Sequence, residues 1–203
     1  MNKVTKTQRG RPPTIEAPRA TILREASKLF AKHGFEGTSL QNIATAVGIT
    51  KAAIYHYFPT KQAVYDAIVV DLLERLDETV RTRVAEVPDH GDKLKQLMIA
   101  HADFLEENYS DFITLLYGLA GLSRPICPDE ALVRDRYESL VRETIENGTA
   151  TGAFAPSSRD VTARAVLSLL NWMSRWYRPD GERKARDFAS DYFELIYNGL
   201  RPR

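Results

Sequence analysis

Residues 38–61 read TSLQNIATAVGITKAAIYHYFPTK, and their spacing decides the fold. Leu40, Ile43, Ala44 and Val47 recur at i, i+3, i+4 and i+7, one apolar stripe of a short helix, and Gly48 halts it where the chain must turn tightly. Thr38 ahead of that stripe, with Gln41 three residues on, predicts a capping box. Thr50 predicts the cap of a second short helix over 51–57, with Ile49, Ile54 and Phe58 turned inward. Pro59 ends it, because proline disfavours helical geometry in the residue before it. Two short helices joined by a tight glycine-containing turn are the helix-turn-helix layout.

The same period extends outward in both directions. Upstream, Ile22, Ala26, Leu29 and Phe30 share one stripe of a helix over 18–32, and Gly34 is placed to cap its end. Downstream, Thr60 opens a long helix carrying Val64, Ile68, Leu72, Leu76, Val80 and Val84 toward Pro88. Five more helices are expected near 92–107, 110–122, 129–148, 159–177 and 182–198, with Gly148 and Gly199 among the breakers. No segment alternates apolar and polar residues long enough to argue for a strand. The expectation is an all-α fold of nine helices.

Composition bounds the function. The chain has 203 residues, 43% hydrophobic and 27% charged, the balance of an ordinary globular protein. Its longest apolar run, 163–176, is interrupted by Arg164 and Arg175, so no membrane span is expected, and the basic N-terminus lacks an apolar signal core; a cytoplasmic protein is expected. The lone Cys127 cannot form an internal disulfide or a thiolate metal site, and His33, His56, His90 and His101 show no metal-ligand spacing, so neither metal nor cofactor is expected. The charge is polarised. Residues 1–61 hold ten Lys and Arg against three acids, a net of +7, while the rest holds 18 against 24, a net of −6. A basic end on an acidic body suits contact with a polyanion at that end.

The run from Ile22 to Phe30, then Gly34, Thr38, Ile43, Ala44, Val47, Gly48 and the segment ITKAAIYHYFPTKQAVYDAI (49–68), resembles the DNA-binding domain of the TetR family of repressors. The resemblance implies a ligand-responsive repressor that binds a palindromic operator as a homodimer and is released by a small-molecule effector. It implies a flexible basic arm at 1–17, a helix-turn-helix domain at 18–62, a linking helix at 60–87, and an effector-binding and dimerisation domain at 63–203. The 51–57 helix is short enough to enter the major groove N-terminus first. That puts Thr50, Lys51, Ala52 and Ala53 near the base edges, Lys51 at a guanine or a phosphate and the alanines at thymine methyls. The resemblance adds Thr38, Tyr55, His56, Tyr57 and Lys61 as phosphate or base contacts, although His56 and Tyr57 reverse the aromatic-then-His order usual in the family. Packing of Tyr57 between helices is the competing reading. Arg9-Gly10-Arg11-Pro12 resembles an AT-hook core, which lays Arg9 and Arg11 in a narrow minor groove; a solvated tail is the alternative.

A two-fold dimer has its own motive, since one short reading helix contacts few bases. Val161, Ala165, Leu169, Trp172 and Trp176, with Phe188, Tyr192, Leu195 and Ile196, are the expected interface, a core face within one subunit being the rival. Phe104, Phe112, Leu116, Tyr117, Leu119 and Tyr137 supply apolar walls for an effector, or plain core. LLNWMSRWYRPDG (169–181) resembles the penultimate helix of family members that respond to acyl-CoA thioesters. Trp172, Arg175, Trp176 and Arg178 are accordingly expected at the effector, and an acyl-CoA thioester is the expected ligand. Two other readings stay open at this stage: an architectural DNA-binding dimer without effector, and a small helical enzyme with an accessory DNA-binding domain.

Overall fold

A computed structural model describes residues 18–121, 126–156 and 158–200, without the side chains of 18 and 116–121. The basic arm with Arg9 and Arg11 lies outside the described residues. Among those described there are nine helices and no strand: α1 (Pro18–His33), α2 (Leu40–Val47), α3 (Lys51–Tyr57), α4 (Lys61–Val84), α5 (His90–Glu107), α6 (Tyr109–Gly121), α7 (Pro128–Ala150), α8 (Arg159–Trp176) and α9 (Ala185–Leu200).

The first three helices close a small core. Ile22, Ala26 and Phe30 of α1, Leu40, Ile43 and Ala44 of α2, and Ile54 and Phe58 around α3 are all buried. Gly48 adopts φ 78°, the left-handed conformation that lets Ile49 N–H return to the Ala44 carbonyl at 3.0 Å and turns the chain into α3. The α2 cap is one residue later than the sequence suggests. Ser39, not Thr38, accepts from the Asn42 N–H at 3.1 Å, and Asn42, not Gln41, returns the bond to Ser39 N–H at 2.9 Å. The reason is competition between adjacent hydroxyls. Thr38 is buried, and its hydroxyl donates back to the Gly34 carbonyl at 3.0 Å, satisfying the end of α1 instead.

Helix α4 joins this head to the body. Its Val64 and Ile68 are buried at the head end, and Leu72, Leu76, Val80 and Val84 at the body end. Phe30, Phe35 and Tyr65 meet where the two join, Phe35 tilted against Phe30 at 5.4 Å and edge-on to Tyr65 at 5.5 Å between centroids, and the Tyr65 hydroxyl donates to the Leu115 carbonyl on α6. In the body α5 is central, packed by α4, α7 and α9. Ion pairs Arg186–Asp103 at 2.6 Å and Lys184–Glu106 at 3.0 Å seat α9 along it.

Helix ends differ from expectation for local reasons. Asp89 caps α5, accepting from Asp92 N–H at 2.8 Å, so α5 begins at His90. Asp187 accepts from Lys184 N–H, so α9 begins at Ala185 rather than 182. Gly199 does not stop α9, because Leu200 is buried and its carbonyl accepts from Ala155 N–H at 2.8 Å. Nor does Gly148 stop α7. It stays helical and admits the Phe154 ring, which a Cβ at 148 would meet at 2.3 Å.

Deep in the body, His101 of α5 lies 2.8 Å, Nδ1 to Oη, from Tyr137 of α7, and both are buried. Burial alone holds the imidazole down to about 4, against an ordinary 6.5.

Two expectations follow from this packing. Gly148→Ala must displace Phe154 and should cost about 1–3 kcal/mol of unfolding free energy in a denaturant titration. For His101, the unfolded chain binds its proton near pH 6.5 and the folded chain only near 4. Stability is therefore fully present above 6.5 and falls as the pH drops from 6.5 toward 4, by an amount on the order of 3 kcal/mol. Denaturation midpoints measured across that range should show the wild type losing stability relative to His101→Phe as the pH falls; a difference between the two that does not change with pH would contradict the assignment.

Candidate nucleic-acid interface and effector region

The outer face of α3 is built by its inner one. Ile54 is fully buried, so Lys51, Ala52, Tyr55 and His56 are left on the outside. The Thr50 hydroxyl caps the helix, accepting from Ala53 N–H at 3.1 Å, and Ala53 is half-buried behind it. The Lys51 ammonium sits 5.9 Å above the Tyr55 ring, one turn along the exposed face of α3. Tyr57 is exposed rather than wedged between helices, its ring edge-on to His56 at 5.4 Å. A cleft of about 590 Å³ runs beside α3, lined by Ser39, Gln41, Lys51, Tyr55, Thr60 and Lys61 among others. The capped N-termini of α2 and α4 both border it, and helix N-termini favour anions.

Two expected contacts move. Thr38 is 2% exposed with its hydroxyl donating to the Gly34 carbonyl, so it is not free to reach a phosphate; Gln41 nearby is exposed. Lys61 is mostly a staple: its ammonium donates to the Phe35 carbonyl at 2.7 Å, sits 4.2 Å above the Phe35 ring, and lies 3.7 Å from Glu36.

The residues expected around an effector divide into two groups. Phe104, Phe112 and Tyr137 converge in the buried body around His101, whose ring lies 6.1 Å from Phe112 and 5.7 Å from Tyr137. His101 is not singled out by the sequence, where a lone histidine on an apolar face carries no ligand signal. The side chains of Leu116, Tyr117 and Leu119 lie outside the described residues. Trp172, Arg175, Trp176 and Arg178 are elsewhere. The buried stripe of α8 is Ala163, Val166, Leu170 and Met173, so residues 172, 175 and 176 fall on the opposite side of the helix. Trp172 is 61% exposed beneath the Arg175 guanidinium, and Arg178 pairs loosely with Asp180 on the surface. They do not share a channel with the buried aromatic group.

Those outward tryptophans belong instead to one apolar face. Val161, Ala165 and Trp172 are exposed on α8, Leu195 is 70% exposed on α9, and Leu169, Phe188, Tyr192 and Ile196 are half-buried between them. Trp176 and Phe188 meet edge-to-face at 4.9 Å and make the face continuous across the two helices.

Head and body are joined by a charged network beside a cleft of about 620 Å³. Arg75 of α4 donates to Asp71 at 2.8 Å, to Asn108 at 2.6 Å and to Asp111 at 2.9 Å. Asp111, in the first turn of α6, also accepts from Ser27 of α1, and Thr114 donates to the Ser27 carbonyl at 3.1 Å. Asn108 is the single residue separating α5 from α6. Among the described residues no group of His, Cys, Asp and Glu is arranged to hold a metal ion, and no helix is long and apolar enough to cross a membrane.

Comparison with known proteins agrees with this geometry. Residues 22–68 match the family model for bacterial regulatory proteins of the tetR family, and residues 87–200 match a tetracyclin repressor-like C-terminal domain. PfmR, a TetR family transcriptional regulator from Thermus thermophilus, is 40% identical and superposes with a TM-score of 0.80 over 89% of this chain and 99% of PfmR. The HTH-type transcriptional repressor KstR2 of Mycobacterium tuberculosis is 24% identical over 92% of this chain and 94% of its own length. AibR, solved in complex with isovaleryl coenzyme A and operator DNA, is 24% identical with a TM-score of 0.75 over 89% of this chain and 98% of AibR. With both of its halves matched and the fold shared throughout, this chain belongs to the TetR family of transcriptional regulators.

Proposed function

We propose that this protein is an effector-responsive repressor that reads a palindromic operator as a homodimer and has no catalytic role. The observation that carries the reading is the outer face of α3: Lys51, Ala52, Tyr55 and His56 stand clear of the core on a seven-residue helix at the basic end of the molecule. Lys51 and Tyr55 are the principal contacts, Ala52 lies against base edges, and Ser39, Gln41 and Thr60 meet phosphates across the adjoining cleft. His56 and Tyr57 extend the contact along the groove. Arg9 and Arg11 of the arm add minor-groove charge, a role supported by sequence alone.

The apolar face of α8 and α9 is the dimer interface. Its support is physical: large side chains as exposed as Trp172 and Leu195 in one continuous patch mark an association surface. The effector sits in the body, bordered by Phe104, Phe112 and Tyr137. An acyl-CoA thioester is the proposed class. The likeness of residues 169–181 to responsive family members suggests it, and the isovaleryl coenzyme A complex of AibR supports it independently. Effector binding favours a conformer in which α6 shifts against α1 and α4, and the Arg75–Asp111–Ser27 network carries that shift to the head. The paired α3 helices then lose the spacing needed for successive major grooves, about 34–36 Å.

Lys51→Ala tests the reading face. Operator binding should weaken by about 1–3 kcal/mol per protomer if Lys51 reads a base, and the slope of log affinity against log salt should fall by about one per protomer if it meets a phosphate. Fluorescence-anisotropy titrations at several salt concentrations distinguish the two. Unchanged affinity and slope would remove Lys51, and with it this face, from the interface.

A further inference from the structure

The buried polar groups of this protein are provided for with care. Ser27 and Thr38 bond as described, Thr144 donates to the Leu140 carbonyl, Ser174 to the Asn171 carbonyl, Asp77 accepts from Arg81 and Arg136, and Glu130 accepts from Arg134. Among the described residues His90 Nδ1, Arg134 Nη2, Tyr177 Oη and one nitrogen of His101 depart from this pattern, and His101 is the one set among the aromatic rings of α6 and α7. Its ring is fully buried, yet only Nδ1 is engaged, and Nε2 has no partner. The proton arrangement follows from counting. If Nδ1 donated to Tyr137, the phenol hydrogen and the Nε2 lone pair would both go unmet; if Tyr137 donates to Nδ1, a single N–H at Nε2 remains. The second arrangement leaves one unmet group instead of two, and leaving even one in a core is costly.

We propose that the Nε2–H of His101 is the donor that holds a carbonyl oxygen of the effector, with Tyr137 as the positioning residue that fixes the tautomer. The inference rests on the reading of the body as an effector-binding unit and names the polar contact in it. The surroundings select the ligand chemistry. Phe104 and Phe112 make an apolar wall on the α5–α6 side. Burial, and after it the Asp77 carboxylate of α4, itself paired with Arg81 and Arg136, pushes the Tyr137 hydroxyl well above its usual range. A carboxylate ligand would find no cation at Nε2, since burial keeps the imidazole neutral at physiological pH. A neutral carbonyl on an apolar chain, as in a thioester, ester or ketone, fits an apolar wall and an uncharged donor. Asp77 also places Tyr137 next to the linking helix, so occupation of Nε2 is felt on α4.

The test uses the full-length protein and two ligand panels: acetyl-, isovaleryl-, octanoyl- and palmitoyl-coenzyme A, and the ethyl esters of the same acids. Binding is read by isothermal calorimetry and by the shift in melting temperature. One compound should bind the wild type. Affinity should fall about ten-fold in His101→Phe/Tyr137→Phe, while the ligand-free melting temperature is equal or higher, because an unmet donor has been removed. His101→Gln, which returns an N–H near the Nε2 position, should recover much of the loss. Equal affinity in the double variant overturns the proposal, as does a lowered ligand-free melting temperature, which would mean that Nε2 is satisfied in the folded protein. Binding of esters but no thioester, lost in the double variant, supports the proposal and rejects the acyl-CoA class. Binding of neither panel by the wild type overturns both.

Discussion

The guanidinium of Arg75 is the interaction on which the arrangement of the molecule turns. All three of its nitrogens are used, one within α4 at Asp71, one at the break between α5 and α6 at Asn108, and one at the first turn of α6 at Asp111. Asp111 passes the connection to Ser27 of the head. Isolated surface ion pairs contribute little, but a network of charge-assisted bonds at a half-buried junction fixes geometry as well as energy. The apolar part of the junction, Phe30, Phe35 and Tyr65, supplies cohesion without direction. Arg75 supplies direction: α6 cannot shift relative to α4 without changing its partners. A head that reads DNA and a body that senses a ligand need such a joint.

Around that joint the molecule is organised in opposite senses. The head hides its apolar residues and turns a chemically sparse face outward, Lys51 and Tyr55 with small alanines between. Two alanines carry little hydrogen-bonding information, so the proposed reading spreads specificity over the cleft beside α3, the arm and a second copy. The body leaves a broad apolar face on α8 and α9 uncovered and buries a polar pair in its centre. The uncovered apolar face coincides with the contact proposed to a second subunit, and the polar pair with the contact proposed to an effector.

The helices, their order and the head core were legible because a period of 3.6 is a strong signal over long segments and because Gly48 and Pro59 leave the chain few choices. What was not legible is what periodicity cannot carry. Helix α8 has two apolar stripes, and only packing shows that Ala163, Val166, Leu170 and Met173 face inward while Val161, Ala165 and Trp172 face out; this separated the tryptophans from the buried aromatic group. Thr38 and Ser39 are adjacent hydroxyls with equal capping propensity, and the choice between them is made by a carbonyl of another helix. Gly148 reads as a breaker but exists to admit Phe154, a contact that no local pattern announces. His101 is one histidine among four, and its unmet nitrogen emerges only once its neighbours are in place.

Two copies of α3, set by the joint at Arg75 and paired through α8 and α9, are proposed to read a two-fold symmetric sequence. In vitro selection of bound duplexes from a randomised pool, using the full-length protein, tests this most directly. The predicted result is enrichment of two inverted half-sites whose centres lie about one helical turn apart, roughly 10–10.5 bp, or a multiple of it. Enrichment of a single unpaired site, or of no sequence at all, would contradict it.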